Sequence, residues 1–575
     1  MKSIRKPILS LLFVILLSLT LLWGCGTPTV SFQDYMDDFF VQQVSGNTID
    51  LNFFLEDPKA YGIENHIVSL GDYSKEARRN TGKSLRMLMI DISRYEDTPL
   101  TTSEQLTYDV LMDYLQLAWE LSEYDLYDEV LTPHNGIHTQ LPILLSEFDF
   151  DSEQDIRDYL QLLSITHDYY KQLIAFEKEK AKKGLFMSDT SCLAFIESCE
   201  DFLDTKENGF LSTTFVSRIE ETDFLTEEQK DSYIQRNEKN LKEEFYPAYE
   251  YLMEEMSDLM GSGTNDWGLC YFPEGKEYYE LLVQLKTGSR DSIETIYEKI
   301  ESRRQEALTN CALVMQQDAE VLNKAYTMEW TLNDPSEILE HLKTAMRSDF
   351  PEGPDTTYTI SYVDKALEDV LSPAFYITAP IDNYYENDIY INNGSIQQDI
   401  YYFTTLAHEG YPGHLYQTTY SYDAGLHPVR SLFSCTGYVE GWATYVEYLS
   451  FSYTNIDENV ATFLSNNDAA TLSLYATTDI GIHHYGWTQE DVLHFWNSYG
   501  IDNEDAILEI TDYIITEPGT YLQYYVGYIQ FLDLLDYAQE LEGETFSLIE
   551  FHRTLLEIGP APFYIVQEYY PEYRN

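Results

Sequence analysis

The sequence predicts a mainly α-helical protein that carries a small β-sheet, and three patterns support this. Residues 155–183 alternate apolar and charged positions with a helical period and are closed by Gly184. A second helical pattern follows Asp291, and Asp334-Pro335 supplies an N-cap and a first-turn proline for a third. Strand signals are few, and the clearest is 388–392, a short β-branched and aromatic run bounded by Asn and Gly.

The N-terminus has the pattern of a bacterial lipoprotein signal. Basic residues precede an apolar run over residues 8–23, and a glycine stands directly before Cys25. Such a signal is cut before the cysteine, whose thiol is then lipidated. We therefore expect a signal peptide over 1–24, a lipidated cysteine and tether over 25–32, and a protein anchored to the cell membrane outside the cytoplasm. The rival interpretation is an uncleaved membrane anchor, for which the run is near the lower length limit.

Composition limits the partners of the protein. The 575 residues include 35 Lys and Arg against 98 Asp and Glu, a formal net charge of −63. This charge argues against nucleic acid as a partner, and nothing in the sequence predicts a protein partner. The cysteines after Cys25 are odd in number and lack CxxC spacing, so neither a disulfide framework nor a thiolate metal site is indicated.

The segment from His408 to His414 predicts a metal site that needs a distorted helix. In the common zinc helix two histidines lie four residues apart on one face, but here the second follows six residues after the first. Six residues at about 100° each leave the imidazoles about a third of a turn apart. Gly410, Pro412 and Gly413 permit a kink or bulge that brings His414 round.

Glu440 is the expected third ligand, because a catalytic zinc takes three N or O ligands and keeps one position open. It lies in a second predicted helix, seven residues before Glu447 and on the same face. We expect Glu440 to bind the metal and Glu447 to lie behind it, although the reverse order is open. Glu409 is placed to take a proton from metal-bound water. The alternative, in which His408 and His414 cap or pack a helix end, explains fewer of these residues.

No linker or low-complexity block follows the tether. Residues 33–575 are therefore predicted to form a single catalytic unit, with a helical N-terminal half over 33–265 and a half with the metal site over 266–575. The expected cofactor is one zinc ion.

Two motifs resemble those of a bacterial family known as domain of unknown function 885, whose members look like zinc metallopeptidases of the gluzincin type. The HExxPGH pattern matches residues 408–414, and the EGWAxYxE pattern matches residues 440–447. Weaker blocks match at residues 273–279, 372–376, 390–392, 479–488 and 518–527. The likeness covers most of the chain from about Phe32 onward.

The resemblance implies a large helical fold similar to neurolysin-like peptidases, with a deep channel and a small sheet near the metal. The strand at 389–392 would then be an edge on which a peptide lies, with Tyr390 and Asn392 in contact with it. His483 and Tyr524 would donate hydrogen bonds to the oxyanion. Arginines common in the family are missing from 475–479 and 527–536. A carboxypeptidase would use such a residue to bind a terminal carboxylate, so the missing arginines argue against carboxypeptidase action.

The leading functional hypothesis is zinc-dependent hydrolysis of peptide bonds, with His408, His414 and Glu440 as ligands and Glu409 as general base. A second hypothesis is that the same site cleaves a non-standard amide. A third, from another class, is a non-catalytic, lipid-anchored binding protein. The sequence leaves endopeptidase and exopeptidase action open.

Overall fold

A computed structural model describes residues 28–574, except 207, 208, 364, 366, 367, 369, 370, 398 and 434. The predicted signal peptide and Cys25 lie outside the described residues. The predicted fold class is confirmed, because the structure is 70% helical and contains one small sheet. Within the described part of the chain, none of the helices is both long and apolar enough to cross a membrane.

The described part before residue 266 is helical. Its α-helices are α1 (Phe32–Val44), α2 (Thr48–Phe54), α3 (Lys75–Ser93), α4 (Thr102–Leu121), α5 (Ile137–Ser146), α6 (Glu153–Lys183), α7 (Asp189–Asp204), α8 (Phe210–Glu221), α9 (Glu227–Asn240) and α10 (Tyr246–Ser257). The predicted helix at 155–183 is α6. Ser152 forms a capping box at its start, and Gly184 ends it with a φ of 72°.

The remainder holds the sheet and a second set of helices. The α-helices are α11 (Gly275–Thr287), α12 (Ile293–Gln317), α13 (Val321–Thr327), α14 (Pro335–Ala345), α15 (Ile400–Glu409), α16 (His414–Asp423), α17 (Thr436–Ser450), α18 (Glu458–Ile480), α19 (Gln489–Ser498), α20 (Glu504–Thr516), α21 (Thr520–Glu542), α22 (Leu548–Ile558) and α23 (Phe563–Arg574). The predicted helix after Asp291 is α12. Asp334 caps α14 through the N–H of Glu337, as expected.

The sheet has three strands in the order β1-β3-β2: β1 (Thr357–Tyr362), β2 (Ala374–Ile377) and β3 (Glu386–Ile391). The strand predicted at 388–392 is β3, but it is the middle strand and not an edge. It pairs in parallel with β1 and antiparallel with β2, so both of its sides are occupied. The prediction that a peptide lies along β3 is therefore wrong.

Two features of the hydrophobic core determine how the two halves and helix α17 are positioned. The halves on either side of residue 265 share buried clusters: Leu106 and Val110 of α4 pack into the same core as Ile389 of the sheet and Phe403 of α15. Helices α17 and α21 cross backbone to backbone, because a Cβ added to Gly441 would lie 2.4 Å from the carbonyl carbon of Gly527. This close crossing holds α17 deep inside the molecule.

Candidate metal centre

The predicted distortion between the two histidines is present. Helix α15 ends at Glu409 and α16 begins at His414, so His408 and His414 come from different helices. The connection requires glycine at Gly413, where an added Cβ would lie 1.8 Å from the carbonyl oxygen of His408. As a result the two imidazole rings are 4.8 Å apart between centroids and almost perpendicular, at 86°.

Helix α17 brings Glu440 to the same point. Its Oε2 lies 3.6 Å from Nε2 of His408 and 3.6 Å from Nε2 of His414. All three residues are buried, with exposed fractions of 4%, 6% and 8% for His408, His414 and Glu440. Three potential ligand atoms from three helices therefore converge on one enclosed point.

The converging atoms fit a zinc ion. Nε2 of His414 and Oε2 of Glu440 are buried, and neither has a hydrogen-bond partner among the described residues. Such atoms are costly to bury, and 3.6 Å is too long for a hydrogen bond between them. By contrast, tetrahedral ligands at about 2.0–2.2 Å from zinc lie roughly 3.3–3.6 Å from one another, and two imidazoles with one carboxylate are a zinc donor set.

Glu447 lies on the far side of His408. Its Oε2 is 3.2 Å from Nδ1 of His408, and its Oε1 is 3.5 Å from the hydroxyl of Thr404. Of the two glutamates on this helix, Glu440 therefore faces the shared point and Glu447 contacts the other ring nitrogen. A carboxylate on the second nitrogen fixes the orientation of a metal-binding histidine and makes it a stronger ligand.

Glu409 stands beside the converging atoms. Ligand atoms of His408, Glu409 and His414 lie within 4.8 Å of one another, so Glu409 is close to both imidazoles. Its Oε2 accepts a hydrogen bond of 3.0 Å from the main-chain N–H of Tyr376 in β2. The small sheet thus holds one oxygen of this carboxylate.

Electrostatics favour a cation here. Burial by itself raises the pKa of Glu440, but His414 and His408 outweigh it and lower the pKa to about 2. Burial also raises the pKa of Glu409, against the effect of both histidines. With Glu447, three buried carboxylates face two imidazoles, and a divalent cation would balance this excess of negative charge.

Tyr524 lies next to this group. It is buried in α21, and its ring is 6.4 Å from that of His408 and nearly parallel to it, at 29°. The structure therefore places the ring of Tyr524 beside His408, and its role as a donor to the oxyanion stays a prediction.

His483 does not join the group. Its Nδ1 accepts the N–H of Leu269 at 3.1 Å and its Nε2 faces the carbonyl oxygen of Ile514 at 2.9 Å, so the proton resides on Nε2. Burial lowers the pKa of His483 to about 4, which keeps the ring neutral. Both nitrogens are occupied by backbone groups, and none is left to donate to an oxyanion. The predicted role of His483 is not supported, because the residue braces the fold.

Tyr390 and Asn392 are not available to contact a peptide as predicted, because both side chains are bonded within the protein. The Tyr390 hydroxyl donates to Glu147 at 2.6 Å, and its ring stacks on Phe375. The Asn392 amide donates to the carbonyl oxygens of Glu368 and Leu371 and accepts from Gly394, which uses the whole side chain in a turn. Both residues connect structural elements.

Two residues that support the candidate centre were not predicted, although they lie in segments that the sequence had singled out. Tyr376 acts through its backbone N–H, which no side-chain pattern reveals. Trp442 donates from Nε1 to the carbonyl oxygen of Pro412 at 2.9 Å, within the connection between the two histidines. Its position two residues after Glu440 was the available signal.

Lys286 is a third residue that the sequence did not point to. It lies in the last turn of α11, where its carbonyl oxygen accepts from the Thr436 hydroxyl at the start of α17. The residue is half-buried, and among the described residues no carboxylate lies within ion-pair distance of its ammonium. Burial lowers its pKa, against the charges of Glu517, Asp128, Asp479 and Glu440.

Comparisons with known proteins give a family and a fold. A family model described as "Bacterial protein of unknown function (DUF885)" matches residues 59–569. No curated protein matches the chain. A candidate lipoprotein from Colwellia psychrerythraea has a similar structure, with a TM-score of 0.81 and 18% identity over 95% of this chain and 99% of its own. A candidate lipoprotein of unknown function from Shewanella oneidensis has a TM-score of 0.62 and 15% identity over 94% of this chain and 99% of its own. At these identities the likeness concerns the fold alone.

Proposed function

The chain belongs to the DUF885 family of bacterial proteins of unknown function, and we propose that it is a zinc-dependent peptidase anchored by a lipid outside the cytoplasm. The observation that carries the proposal is the convergence of His408, His414 and Glu440 on one enclosed point. Two of the three converging atoms have no other partner among the described residues. Beside them stands a carboxylate, Glu409, that the fold holds in place.

His408, His414 and Glu440 would hold the zinc ion, and Glu447 would orient His408 through Nδ1. A bound zinc would supply Lewis-acid activation of a water molecule and of the scissile carbonyl group. Because Tyr376 holds Oε2 of Glu409, its Oε1 is the atom that takes the proton of the attacking water and delivers it to the leaving amine. Tyr524, whose ring lies beside that of His408, would donate a hydrogen bond to the developing oxyanion.

The backbone of β2 supports the assignment of Glu409 as the proton acceptor. The main-chain N–H of Asn392 donates to the carbonyl oxygen of Pro373, and Phe375 and Tyr390 are register partners, so the peptide groups of the odd-numbered residues of β2 face β3. The peptide groups of Ala374 and Tyr376 therefore point away from β3, and the N–H of Tyr376 donates to Glu409 on that side. Ala374 and Tyr376 are buried, so this edge holds Glu409 and is closed to a peptide strand.

The membrane anchor is supported by the N-terminal pattern that ends at Cys25. The proteins from Colwellia psychrerythraea and Shewanella oneidensis are themselves named as candidate lipoproteins. Peptides outside the cytoplasm would then be the accessible substrates.

The test uses the mature protein with Cys25→Ser, so that no lipid is attached. Metal analysis should find about one zinc ion per chain, and mass spectrometry of a peptide library should find cleavage. Glu409→Gln should keep the zinc and lower the cleavage rate by about 10²–10⁴-fold, the usual contribution of a general base. Glu177→Gln is the matched control, because Glu177 is an equally buried glutamate on α6 of the N-terminal half.

Each failure has its own meaning. Tight zinc binding without cleavage of any peptide would favour a non-catalytic binding protein, or an enzyme that acts on a non-standard amide. Absence of zinc binding would overturn the metal site. Cleavage that survives Glu409→Gln would show that another group takes the proton.

Carboxypeptidase action is a second candidate, and Lys286 is the observation that favours it. Lys286 is half-buried and the charge of Glu440 affects its pKa, so its ammonium could bind a terminal carboxylate in place of the missing arginines. A carboxypeptidase would cleave peptides with a free C-terminus and spare the same peptides with a C-terminal amide. Equal cleavage of both forms, unchanged by Lys286→Met, would exclude this candidate and leave endopeptidase action.

A further inference from the structure

The spacing of the two histidines depends on the connection between them, residues 410–413. Pro412 is conformationally restricted, whereas Gly410 and Gly413 are residues of high intrinsic conformational freedom. A metal site tolerates displacements of only about 0.5 Å in its ligands. A contact from outside that restrains the connection therefore bears on the spacing of His408 and His414.

Trp442 makes that contact. Its indole N–H donates to the carbonyl oxygen of Pro412 at 2.9 Å, and both residues are buried. The Trp442 ring is itself confined by edge contacts with Phe350, Phe531 and His552, at 5.9, 5.7 and 5.7 Å between centroids. This enclosure leaves the indole no room to turn away.

The enclosure is fixed in turn by hydrogen bonds. His552 stacks on Phe350 at 4.0 Å, its Nδ1 lies 2.7 Å from the carbonyl oxygen of Asp349, and its Nε2 lies 3.0 Å from the hydroxyl of Tyr445. Tyr445 belongs to α17, the helix of Trp442. The indole is therefore held between its own helix and α22.

One helix thus restrains the candidate centre at three places. Helix α17 places Glu440 at the converging point, Glu447 against Nδ1 of His408, and Trp442 against the connection that leads to His414. We propose that Trp442 is a positioning residue that sets the distance between His408 and His414 and so determines the zinc affinity. This inference rests on the proposed zinc site. Contacts that orient metal ligands typically contribute about 10–100-fold to metal affinity.

The test compares two tryptophans. Trp442→Phe removes the indole N–H and part of the ring from the connection. Trp496→Phe removes the same groups elsewhere, because Trp496 is also fully buried and donates to the Thr478 hydroxyl at 3.0 Å, in a different hydrophobic cluster. Each variant of the otherwise intact chain is measured for zinc affinity by competition with a chelator, for the absorption spectrum of bound Co²⁺, and for the melting temperature without metal.

We expect Trp442→Phe to weaken zinc binding by about 10–100-fold and to change the Co²⁺ spectrum. We expect Trp496→Phe to lower the melting temperature to a similar extent but to leave affinity and spectrum as in the wild type. Wild-type affinity and spectrum in Trp442→Phe would overturn the inference, as would equal weakening in both variants. A wild-type protein that binds no zinc would instead overturn the proposed function.

A second substitution covers the case in which Trp442→Phe does not fold. Trp442→benzothienylalanine keeps the bicyclic ring and replaces only the N–H by sulfur. Weakened zinc binding in this variant supports the inference, and unchanged binding overturns it.

Discussion

The groups around His408 and His483 are built from the same kinds of side chain, yet they differ in what their polar atoms do. Asp479 accepts from the Tyr279 hydroxyl at 2.5 Å and from the Gly519 N–H at 2.8 Å, and both nitrogens of His483 meet backbone groups. Around His408, by contrast, Nε2 of His414 and Oε2 of Glu440 are left without hydrogen bonds among the described residues. Buried polar groups whose hydrogen bonds are all made stabilise the fold. Buried polar atoms that converge on one point without hydrogen bonds indicate a place for a ligand.

The sharpest test of this contrast compares the two histidines. His414→Ala should lower zinc affinity by about 10²–10³-fold, because the apparent binding free energy of about 10–16 kcal/mol found for zinc sites with four protein ligands gives about 2.5–4 kcal/mol for each ligand. His483→Ala should keep the zinc affinity and lower the melting temperature, because the backbone groups of Leu269 and Ile514 lose their partner. Metal titration and thermal unfolding measure both. Equal loss of zinc in the two variants would remove the distinction.

A comparison of Tyr524 near His408 with Tyr279 near Asp479 tests the difference between the two groups in catalysis. Tyr524→Phe should lower kcat by about 10²–10³-fold and leave zinc affinity unchanged, if its hydroxyl stabilises the oxyanion. Tyr279→Phe should act on stability alone, because its hydroxyl is bound to Asp479. Steady-state kinetics on a peptide that the wild type cleaves separates kcat from KM. A full rate in Tyr524→Phe would show that this hydroxyl takes no part.

The carboxylates of the two groups should differ as well. Glu447→Gln should weaken zinc binding by about 10–100-fold, because it contacts Nδ1 of His408. Asp479→Asn should leave zinc affinity within error of the wild type. Chelator competition measures both values. A larger effect of Asp479→Asn than of Glu447→Gln would reverse the assignment of the two groups.

The smallest expected effect is a pH dependence of stability that belongs to Asp479. Burial raises its pKa from 3.8 to about 7, against the hydrogen bonds from Tyr279 and Gly519. Because the unfolded chain loses this proton at lower pH than the folded protein does, the group makes the protein less stable as pH rises from about 4 to about 7. Between pH 6 and pH 7 the loss is about 1 kcal/mol.

Asp479→Asn removes the titrating group, so thermal unfolding of this variant should lack that part of the decline. A decline identical to that of the wild type would show that Asp479 titrates normally.

Several features of the fold followed from local sequence. The period and the capping residues predicted α6 and α14, and the glycines and proline at 410–413 predicted the break that turns His414 toward His408. These predictions hold because helix caps and helix breaks depend on residues close together in the chain.

Which glutamate faces the converging point depended on tertiary structure. Glu440 and Glu447 share one helix face, and only the position of α15 beside α17 directs the first toward both histidines and the second toward Nδ1 of His408. The order of the strands also depended on tertiary structure, because the sequence of β3 alone cannot show that β1 and β2 pair with both of its sides.

The amino-acid sequence by itself determined the helical class, the residue types of the candidate centre and the need for a distorted connection between its histidines. Only the tertiary structure decided which buried polar residues have all their hydrogen bonds made. His483 looked like a catalytic donor until Leu269 and Ile514, distant in sequence, took both of its nitrogens. Backbone N–H and carbonyl groups are the same at every residue, so a sequence pattern does not show which side chains they will satisfy.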